Sequence, residues 1–485
     1  MADYMIGIDQ STTTTKAIVF NRNAEVVARS DVNHKQIHPK QSWVEHDPEE
    51  IYTNLEKVIN DVIIKASLVP DDIAGISVTN QRETTMLWTP DGKPVYNAIV
   101  WQCPRAKNIV ERAEIDSERE YIRDATGLQL SPYFSLGKAA WINENIRPKG
   151  DVLFGTMDSW IIWKLTGHHV TDYSNASRTQ IFNIHEMQWD KKIINLFGLD
   201  NVSFPEVLSS DVIYGETTVE GLFKKPVPVA GDMGDSHGAL FAQQCWKSGM
   251  GKCTFGTGGS IMVNIGSKPA KSNNLLNTSI AWNLSGKTEY VLEGTVVCLG
   301  DTIKWLINEM HLIKDSGEAE GIAAPMDSTE GVYIVPAFGG LGAPYWRSDV
   351  KAMICGLHRY AGREHIVRAG LESITYQIKD IIDPMMKDAN IQLKELRVDG
   401  GPTHNKFLMQ FTADILKVKI ITNSVEELSA LGAVYAGGLA IGFWKNKDEI
   451  AALKKEAEIY ECKMSDEVSA GLYKGWREAV SMLTN

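Results

Sequence analysis

Two turns rich in hydroxyl groups and glycine could hold the oxygens of a polyphosphate. The first turn joins the apolar runs 5–8 and 17–20, and it contains Ser11, Thr12 and Thr13, with Lys16 just beyond. Backbone N–H groups and hydroxyls together suit phosphate oxygens, and the lysine adds a positive point charge. Asp9 ends the first strand, where a carboxylate could hold a magnesium ion against a polyphosphate. An isolated turn of this composition is equally typical of a plain polar hairpin.

A second copy of this pattern favours phosphate binding. Residues 251–266 again place a turn, here containing Gly256 and Thr257, between two apolar runs. Apolar runs joined by a short turn predict a β-hairpin. Two such hairpins, one opening each half of the chain, predict an internal duplication with a polyphosphate held between the halves.

One aspartate could act as a base. Asp235 lies in residues 231–236 (GDMGDS), where an apolar strand gives way to a helix rich in small residues. Transfer of a phosphoryl group to an alcohol needs in-line positioning and a base of ordinary strength, which a carboxylate supplies. A lone aspartate at such a junction is also typical of a helix N-cap. The two phosphate turns favour the catalytic interpretation, and Asp232 is the nearby alternative.

Arg82 and Glu83 could bind the hydroxyl groups of a substrate. They follow the strand predicted at residues 73–78, and the carboxyl edge of such strands is where open α/β sheets hold ligands. The guanidinium can donate to vicinal hydroxyls while the carboxylate accepts from them. The alternative is an exposed ion pair, which contributes little. Trp101 and Tyr133 could line such a site or simply belong to the core.

The elements that position these residues predict an α/β protein with two domains. A second strand, at residues 396–399, also stops in a polar, glycine-rich loop before a helix, which repeats the plan of the strand before Arg82. A chain of 485 residues exceeds what one core usually supports. We therefore predict domains 1–248 and 249–485, joined by ordered chain because no low-complexity linker separates them.

Composition argues against several classes of partner. The net charge of −12 disfavours nucleic acid and anionic membranes, since both attract basic surfaces. No apolar run is long enough to cross a bilayer, and we find no secretory signal pattern. The six cysteines show neither a CxxC pair nor metal-ligand spacing, so we expect buried, reduced thiols in a cytoplasmic protein.

Short motifs spread over nearly the whole chain are similar to those of one known family. They are residues 43–50 (WVEHDPEE), 80–85 (NQRETT), 97–102 (NAIVWQ), 132–135 (PYFS) with Lys138 and Trp141, 256–258 (GTG), 343–346 (APYW), 371–374 (LESI) and 398–401 (VDGG). The set resembles the FGGY carbohydrate kinases and, within them, the glycerol kinases. The resemblance implies two duplicated ribonuclease-H-like domains, as in actin and hexokinase, which close an interdomain cleft on ATP and a polyol. The implied reaction is phosphorylation of a small polyol or sugar, foremost glycerol to glycerol 3-phosphate.

The resemblance also implies roles for individual residues. Asp235 is the expected catalytic base, and Asp9 is expected to act through Mg²⁺. The substrate hydroxyls are expected to contact Arg82, Glu83, Tyr133, Asp235 and Ser236, with Trp101 along the carbon face. The ATP site is expected to comprise Ser11, Thr12, Thr13, Lys16, Gly256, Thr257, Gly300, Lys304, Gly400, Gly401 and Asn405. The expected assembly is a homodimer or homotetramer.

Three positions depart from the pattern of the glycerol kinases. Ser11 replaces the usual glycine, Ser236 replaces a glutamine and Ser260 replaces an aromatic residue. The last two substitutions shrink side chains that would line the pocket. This favours the alternative of a larger substrate, such as a tetritol, xylulose or ribulose.

Two further alternatives lie outside polyol phosphorylation. One is a nucleotide-driven switch like actin or the Hsp70 chaperones, which would leave Arg82 and Glu83 without a function. The other is a relative that has kept ligand binding and lost catalysis. The presence of both Asp9 and Asp235 argues against it.

Overall fold

The structure, a computed structural model, describes residues 2–423, 425, 427–453 and 458–484. The strands up to residue 248 are β1 (Tyr4–Gln10), β2 (Thr14–Asn21), β3 (Val26–Asn33), β4 (Glu45–His46), β5 (Ile73–Asn80), β6 (Thr85–Trp88), β7 (Ala98–Ile99), β8 (Val152–Thr156), β9 (Val170–Asp172), β10 (Phe182–Asn183), β11 (Gln188–Trp189), β12 (Val202–Ser203), β13 (Glu206–Leu208), β14 (Ile213–Thr217) and β15 (Val227–Gly234). The α-helices there are α1 (Pro48–Lys65), α2 (Lys107–Val110), α3 (Ala113–Asp116), α4 (Arg119–Thr126), α5 (Ser135–Ile146), α6 (Met157–Thr166), α7 (Tyr173–Ala176), α8 (Lys191–Leu196) and α9 (Asp235–Ala242).

The remaining elements follow in the C-terminal half. Its strands are β16 (Met250–Phe255), β17 (Gly259–Gly266), β18 (Asn277–Leu284), β19 (Lys287–Val296), β20 (Tyr333–Val335), β21 (Met353–Cys355), β22 (Glu395–Asp399), β23 (Lys419–Thr422) and β24 (Ile459–Tyr460). Its α-helices are α10 (Gly300–Asn308), α11 (Ser316–Ala323), α12 (Arg363–Ala389), α13 (Lys406–Leu416), α14 (Leu428–Ala440), α15 (Lys447–Ala452) and α16 (Asp466–Thr484).

A six-stranded sheet forms the centre of the N-terminal half, in the order β14-β15-β5-β1-β2-β3. β1 and β2 form an antiparallel hairpin, whereas β1, β5 and β15 run parallel. Residues of β1 are buried on both faces of the strand, as in sheets that helices cover on both sides. α1 packs on β2 and β3, and its N-cap Asp47 accepts a hydrogen bond from the backbone N–H of Glu49.

The C-terminal half repeats this arrangement in a seven-stranded sheet, ordered β18-β19-β17-β16-β22-β23-β24. β16 and β17 form the antiparallel hairpin, and β16, β22 and β23 run parallel. The shared part of the two orders is β3-β2-β1-β5-β15 in one half and β19-β17-β16-β22-β23 in the other. This shared order confirms the predicted α/β class and the duplication. Both turns predicted to hold phosphate lie at hairpin tips.

One helix of the C-terminal half lies on the sheet of the N-terminal half. α14 packs on β15, β5 and β1, and its most extensive partner is α9. The approach is close: a Cβ at Gly432 would lie 1.9 Å from the carbonyl oxygen of Gly238, and one at Gly231 would lie 2.3 Å from that of Ala433. The two halves are therefore joined through packed helices as well as through the chain near residue 248, where the domain boundary stays a prediction.

The cysteines match the predicted redox state and only partly the predicted burial. All six are free, and Cys103, Cys245, Cys253 and Cys298 are buried. Burial was wrongly predicted for Cys355, which is half-buried, and for Cys462, which is exposed. Cys355 belongs to a two-stranded sheet, and Cys462 follows the edge strand β24. None of the described helices combines the length and apolar character needed to cross a membrane.

Candidate active site

A cavity of about 770 Å³ lies between the two halves. Residues of both halves line it, and they include all six that the sequence predicted for the substrate: Arg82, Glu83, Trp101, Tyr133, Asp235 and Ser236. The other lining residues are Thr12, Gln81, Gln129, Ser131, Phe134, Arg178, Ser260, Leu275, Asn277, Glu293, Thr295 and Trp346. The structure therefore brings the six predicted residues together, although Arg82 and Ser236 are 154 positions apart in sequence.

Arg82 and Glu83 lie in the loop between β5 and β6, where the chain passes from one sheet to another. Glu83 has a φ of 63°, a left-handed conformation that is costly for a residue with a side chain. Its carbonyl oxygen accepts hydrogen bonds from Thr85 Oγ1 (2.8 Å) and Ser135 Oγ (3.2 Å), which hold this conformation. Both residues are buried, so the exposed ion pair considered from the sequence is wrong.

A network of charged groups surrounds Arg82. Its Nε lies 2.9 Å from Asp235 Oδ1, and its two terminal nitrogens donate to Glu293 at 3.1 and 2.9 Å. Arg178 contacts the other side of the network, with Nε 2.6 Å from Glu83 Oε1 and NH1 2.8 Å from Glu293 Oε2. Such paired geometry compensates the cost of burying these charges.

Glu293 and Arg178 were missed from the sequence. Glu293 interrupts an apolar stretch of β19, and a charge within an apolar strand is a signal that could have drawn attention to it. Arg178 follows the four-residue helix α7 in a polar stretch without any distinguishing pattern. Burial alone would raise the pKa of Glu293, but the positive charges of Arg178 and Arg82 outweigh it and hold that pKa well below its usual range.

Asp235 is the first residue of α9, and Gly234 occupies the N-cap position. The N-cap alternative for Asp235 is therefore wrong. Its Oδ1 accepts a hydrogen bond of 2.6 Å from the backbone N–H of Ser236, and 38% of its side chain is exposed to the cavity. Asp232, the alternative base, is fully buried in β15, where burial raises its pKa well above the usual range. Between the two, only Asp235 can meet a substrate.

Trp101 and Tyr133 contact each other at the wall of the cavity. Their rings meet edge to face, with centroids 5.5 Å apart, and Trp101 Nε1 donates to Thr12 Oγ1 at 3.0 Å. Tyr133 is held by Lys138, a fully buried lysine whose Nζ donates to the carbonyl oxygens of Pro132, Tyr133 and Phe134. The two aromatic rings present apolar surface beside the polar network, an arrangement that suits a molecule with hydroxyls on one side and carbon on the other.

The first phosphate turn lies at the tip of the β1–β2 hairpin. The backbone N–H and the hydroxyl of Ser11 both donate to the carbonyl oxygen of Thr14, and the hydroxyls of Thr13 and Thr14 are 3.2 Å apart. Lys16 is engaged with carboxylates, since its Nζ lies 3.1 Å from Asp9 and 3.2 Å from Glu427. The lysine would have to exchange one of these partners in order to contact a phosphate.

Asp9 fits a divalent cation in this place. It is buried at the carboxyl end of β1, and burial raises its pKa to about 6 against the opposing effect of Lys16. The charge of Asp235 is close enough to raise that pKa further. Two neighbouring carboxylates that repel each other supply the hard oxygen ligands that Mg²⁺ prefers, and such a cation would relieve their repulsion.

The described residues contain one other cluster that could hold a metal, formed by Glu330, His358 and His365. The Nδ1 atoms of both histidines accept backbone hydrogen bonds, from Tyr360 and Gly362. Each neutral ring therefore carries its proton on Nε2, facing Glu330 at 3.3 and 3.9 Å. Metal-ligating histidines need that nitrogen unprotonated, so the cluster is better explained as a surface contact of two imidazole rings with one carboxylate.

The second phosphate turn contacts the N-terminus of α10. The N–H groups of Gly300 and Asp301 donate to the carbonyl oxygens of Gly256 and Thr257, and Lys304 Nζ donates to Thr257 Oγ1 at 3.1 Å. A Cβ at Gly300 would lie 2.6 Å from the carbonyl oxygen of Gly256, so this close contact requires glycine. A glycine turn beside a helix N-terminus and a lysine suits a phosphate.

Gly400, Gly401 and Asn405 lie next to this second turn. Gly400 has a φ of 101°, and its Cβ would lie 2.2 Å from the carbonyl oxygen of Phe255, the residue before Gly256. Gly401 faces open space, because a Cβ there would have no neighbour within 4 Å. Asn405 caps α13 by accepting from the N–H of Leu408 at 2.9 Å. Gly400 and Gly401 are exposed beside the turn, whereas Asn405 is buried.

Comparison with known proteins agrees with this geometry. Residues 4–242 match the N-terminal domain, and residues 251–441 the C-terminal domain, of the FGGY family of carbohydrate kinases. The chain is similar to the glycerol kinase of Thermoanaerobacter pseudethanolicus, with 47% identity over 99% of this chain and 98% of that protein. It is also similar to the glycerol kinase of Bacillus subtilis, with 45% identity over 99% of both.

Solved structures give the same result. The crystal structure of Plasmodium falciparum glycerol kinase with ADP has a TM-score of 0.94 and 35% identity, and the match covers 99% of this chain and 98% of that one. A ligand-bound xylulose kinase from Lactobacillus acidophilus shares the fold, with a TM-score of 0.87, 22% identity and coverage of 99% and 98%. These similarities make the chain a phosphotransferase, and the alternative of a nucleotide-driven switch is wrong. The chain belongs to the FGGY family of carbohydrate kinases.

Proposed function

We propose that this enzyme transfers the terminal phosphoryl group of ATP to glycerol and forms glycerol 3-phosphate. The observation that carries the proposal is the convergence of Arg82, Glu83, Tyr133 and Asp235 on one cavity between the two halves. The near full-length similarity to curated glycerol kinases supports the same substrate.

In the proposed reaction, Glu83 accepts hydrogen bonds from substrate hydroxyls and Arg82 donates to them. Trp101 and Tyr133 contact the carbon chain. Asp235 accepts the proton of the attacking hydroxyl late in the transfer, when the new bond to phosphorus is largely formed. Because Arg82 lies 2.9 Å from Asp235, it also holds this carboxylate in a fixed orientation.

ATP and Mg²⁺ are proposed to occupy the region between the two turns. Ser11, Thr12, Thr13, Lys16, Gly256 and Thr257 would contact the phosphates, and Gly300, Lys304, Gly400, Gly401 and Asn405 would extend along the nucleotide. The bound Mg²⁺, next to Asp9, would neutralise charge on the phosphoryl oxygens. Closure of the cleft would exclude water, which otherwise competes with glycerol for the phosphoryl group.

A coupled assay of ADP release tests this proposal. We expect release that depends on glycerol and on Mg²⁺, with glycerol 3-phosphate as the product identified by mass spectrometry. Absence of glycerol 3-phosphate under these conditions would contradict the proposed function.

A larger polyol or ketose is the second candidate substrate. Ser236 and Ser260 both line the cavity, and neither Ser260 Oγ nor Gln129 Nε2 has a hydrogen-bond partner among the described residues, although both atoms are buried. Buried unpaired polar atoms are costly, and the hydroxyls of a longer substrate would satisfy them. Erythritol, xylulose and ribulose belong in the same assay. Exclusive use of glycerol would contradict this second candidate.

We further propose that the enzyme acts in the cytoplasm as a homodimer or homotetramer. The six free cysteines support the location, because reduced thiols are typical of the cytoplasm. Size-exclusion chromatography with light scattering tests the assembly, and a mass of 53.8 kDa, that of a single chain, would contradict it.

A further inference from the structure

Glu293 brings a carboxylate of the C-terminal half into contact with the substrate residues of the N-terminal half. Among the described residues that line the cavity, it is the one carboxylate that comes after residue 248. Its two oxygens accept hydrogen bonds from the two terminal nitrogens of Arg82, which is 211 positions away in sequence. Oε2 also lies 2.8 Å from Arg178 NH1. Only 7% of its side chain is exposed.

The strand that carries Glu293, β19, pairs with β17, one of the two strands of the hairpin that holds the second phosphate turn. The pairing of β19 with β17 places Gly259 opposite Val296 and Met262 opposite Glu293. Gly258, in the turn, lies so close to β19 that a Cβ there would be 2.7 Å from the carbonyl oxygen of Val296. A paired β-ladder moves as one body, so Glu293 follows the position of the nucleotide turn.

The partners of Glu293 are the groups that hold the substrate residues. Arg82 contacts Asp235 at 2.9 Å, and Arg178 contacts Glu83 at 2.6 Å. Each arginine is shared between one carboxylate of the N-terminal half and Glu293. A change in the distance between the halves therefore changes how firmly Arg82 and Arg178 hold Asp235 and Glu83.

We propose that Glu293 is a positioning residue that couples the nucleotide site of the C-terminal half to the substrate site of the N-terminal half. The inference rests on the proposed function, because it takes the cavity as the polyol site and the second turn as part of the ATP site. Nucleotide binding sets the position of β19, and Glu293 transmits it to the two arginines. The coupling is reciprocal, so glycerol also strengthens nucleotide binding.

Calorimetric titration with glycerol, in the absence and presence of adenylyl imidodiphosphate and Mg²⁺, measures the coupling. In the wild type, we expect the nucleotide analogue to lower the Kd of glycerol by at least about 5-fold. In Glu293→Gln, which keeps the shape and removes the charge, we expect this ratio to fall close to unity. Glu293→Asp keeps the charge but has a shorter side chain, so we expect its ratio to lie between those of the wild type and Glu293→Gln. This variant replaces Glu293→Gln in the test if the glutamine variant does not fold.

Glu372→Gln provides a matched control. Glu372 is a buried glutamate of the same half, paired with Arg368 at 2.7 Å, and is not among the described residues that line the cavity. It is expected to keep the wild-type ratio even if its stability falls. Equal weakening of glycerol binding by Glu293→Gln with and without the analogue would overturn the proposal, as would a wild-type ratio of unity. Failure of the proposed function is distinguishable, since the wild type would then form no glycerol 3-phosphate.

Discussion

At the scale of single residues, the site depends on how each charge is held. Arg82 could in principle neutralise any nearby carboxylate, but its position between Asp235 and Glu293 divides its charge between a group exposed to the cavity and a group that is buried. Asp235 thus keeps a carboxylate open to a substrate while its orientation is fixed. A group with this combination can accept a proton without leaving its place.

Asp235→Asn tests the role of this carboxylate. We expect kcat to fall by about 10² to 10⁴-fold, because the amide cannot accept the proton of the attacking hydroxyl. The Kd of glycerol, measured by calorimetry, is expected to change far less, since the amide keeps the size of the side chain. Asp448→Asn, at the exposed first turn of α15, is the control and should keep wild-type turnover. Unimpaired turnover in Asp235→Asn would contradict the assignment of the base.

At the scale of helices and strands, packing between elements determines how the two halves meet. α14 continues the chain of the C-terminal half but buries its residues against β1, β5 and β15 of the other half. Its run of alanine and glycine allows this close approach. A bulkier face would keep the helix away from α9 and so change the position of Asp235 at the start of that helix.

Gly432→Ala is expected to destabilise this contact. The added Cβ would lie 1.9 Å from the carbonyl oxygen of Gly238, and because that atom belongs to the backbone of α9 it cannot rotate away. We expect a lower midpoint of thermal unfolding and lower activity, both measured on purified protein. Gly471→Ala in α16 is the control: its Cβ meets nothing within 4 Å, and a helical alanine in place of glycine is expected to stabilise. Equal midpoints for the two variants would contradict the packing argument.

A buried carboxyl group holds α16 to α12. Asp380 in α12 is buried and accepts hydrogen bonds from Tyr473 Oη (2.6 Å) and Trp476 Nε1 (2.8 Å) of α16. Burial raises its pKa to about 6, although these hydrogen bonds oppose the shift. A carboxyl with a raised folded pKa stabilises the fold fully below its unfolded pKa, and that contribution is lost as the pH rises through about 6.

Asp380→Asn removes this titration, because the amide stays neutral at every pH in the range. We therefore expect the thermal midpoint of the variant, relative to the wild type, to increase as the pH rises from about 4 to 7. Differential scanning calorimetry at four or five pH values measures the difference. A difference between the two proteins that stays constant across this range would show that Asp380 is ionised throughout.

At the scale of the whole molecule, the duplicated halves form one site from two surfaces. The N-terminal half supplies the proposed base and most of the proposed polyol contacts, and the C-terminal half supplies the second turn and Glu293. Neither half alone supplies all the groups of the proposed site. A substrate bound between them is therefore expected to draw the halves together.

Small-angle scattering tests this closure. We expect glycerol and adenylyl imidodiphosphate together to lower the radius of gyration more than either does alone, because both ligands are proposed to contact residues of both halves. ATP hydrolysis is expected to be slow without glycerol, since an open cleft does not complete the site. Asp235→Asn should still close, because it keeps the shape of the pocket. An unchanged radius with both ligands would contradict closure.

The sequence by itself determined the two hairpins, the α/β class and the duplication. These features depend on local spacing: apolar runs joined by turns of Gly, Ser and Thr form hairpins wherever they lie in the fold. The same local logic identified Asp235, and Arg82 and Glu83, because polar residues that follow apolar strands gather at the carboxyl edge of a sheet.

Only the tertiary structure decided which distant groups complete the site. Glu293 and Arg178 contact the predicted residues across 211 and 95 positions, and Lys16 contacts Glu427 across 411. The packing of α14 on the sheet of the other half is likewise a contact between segments far apart in sequence. Contacts over such distances depend on how whole elements pack. The local spacing of residues along the chain does not predict that packing.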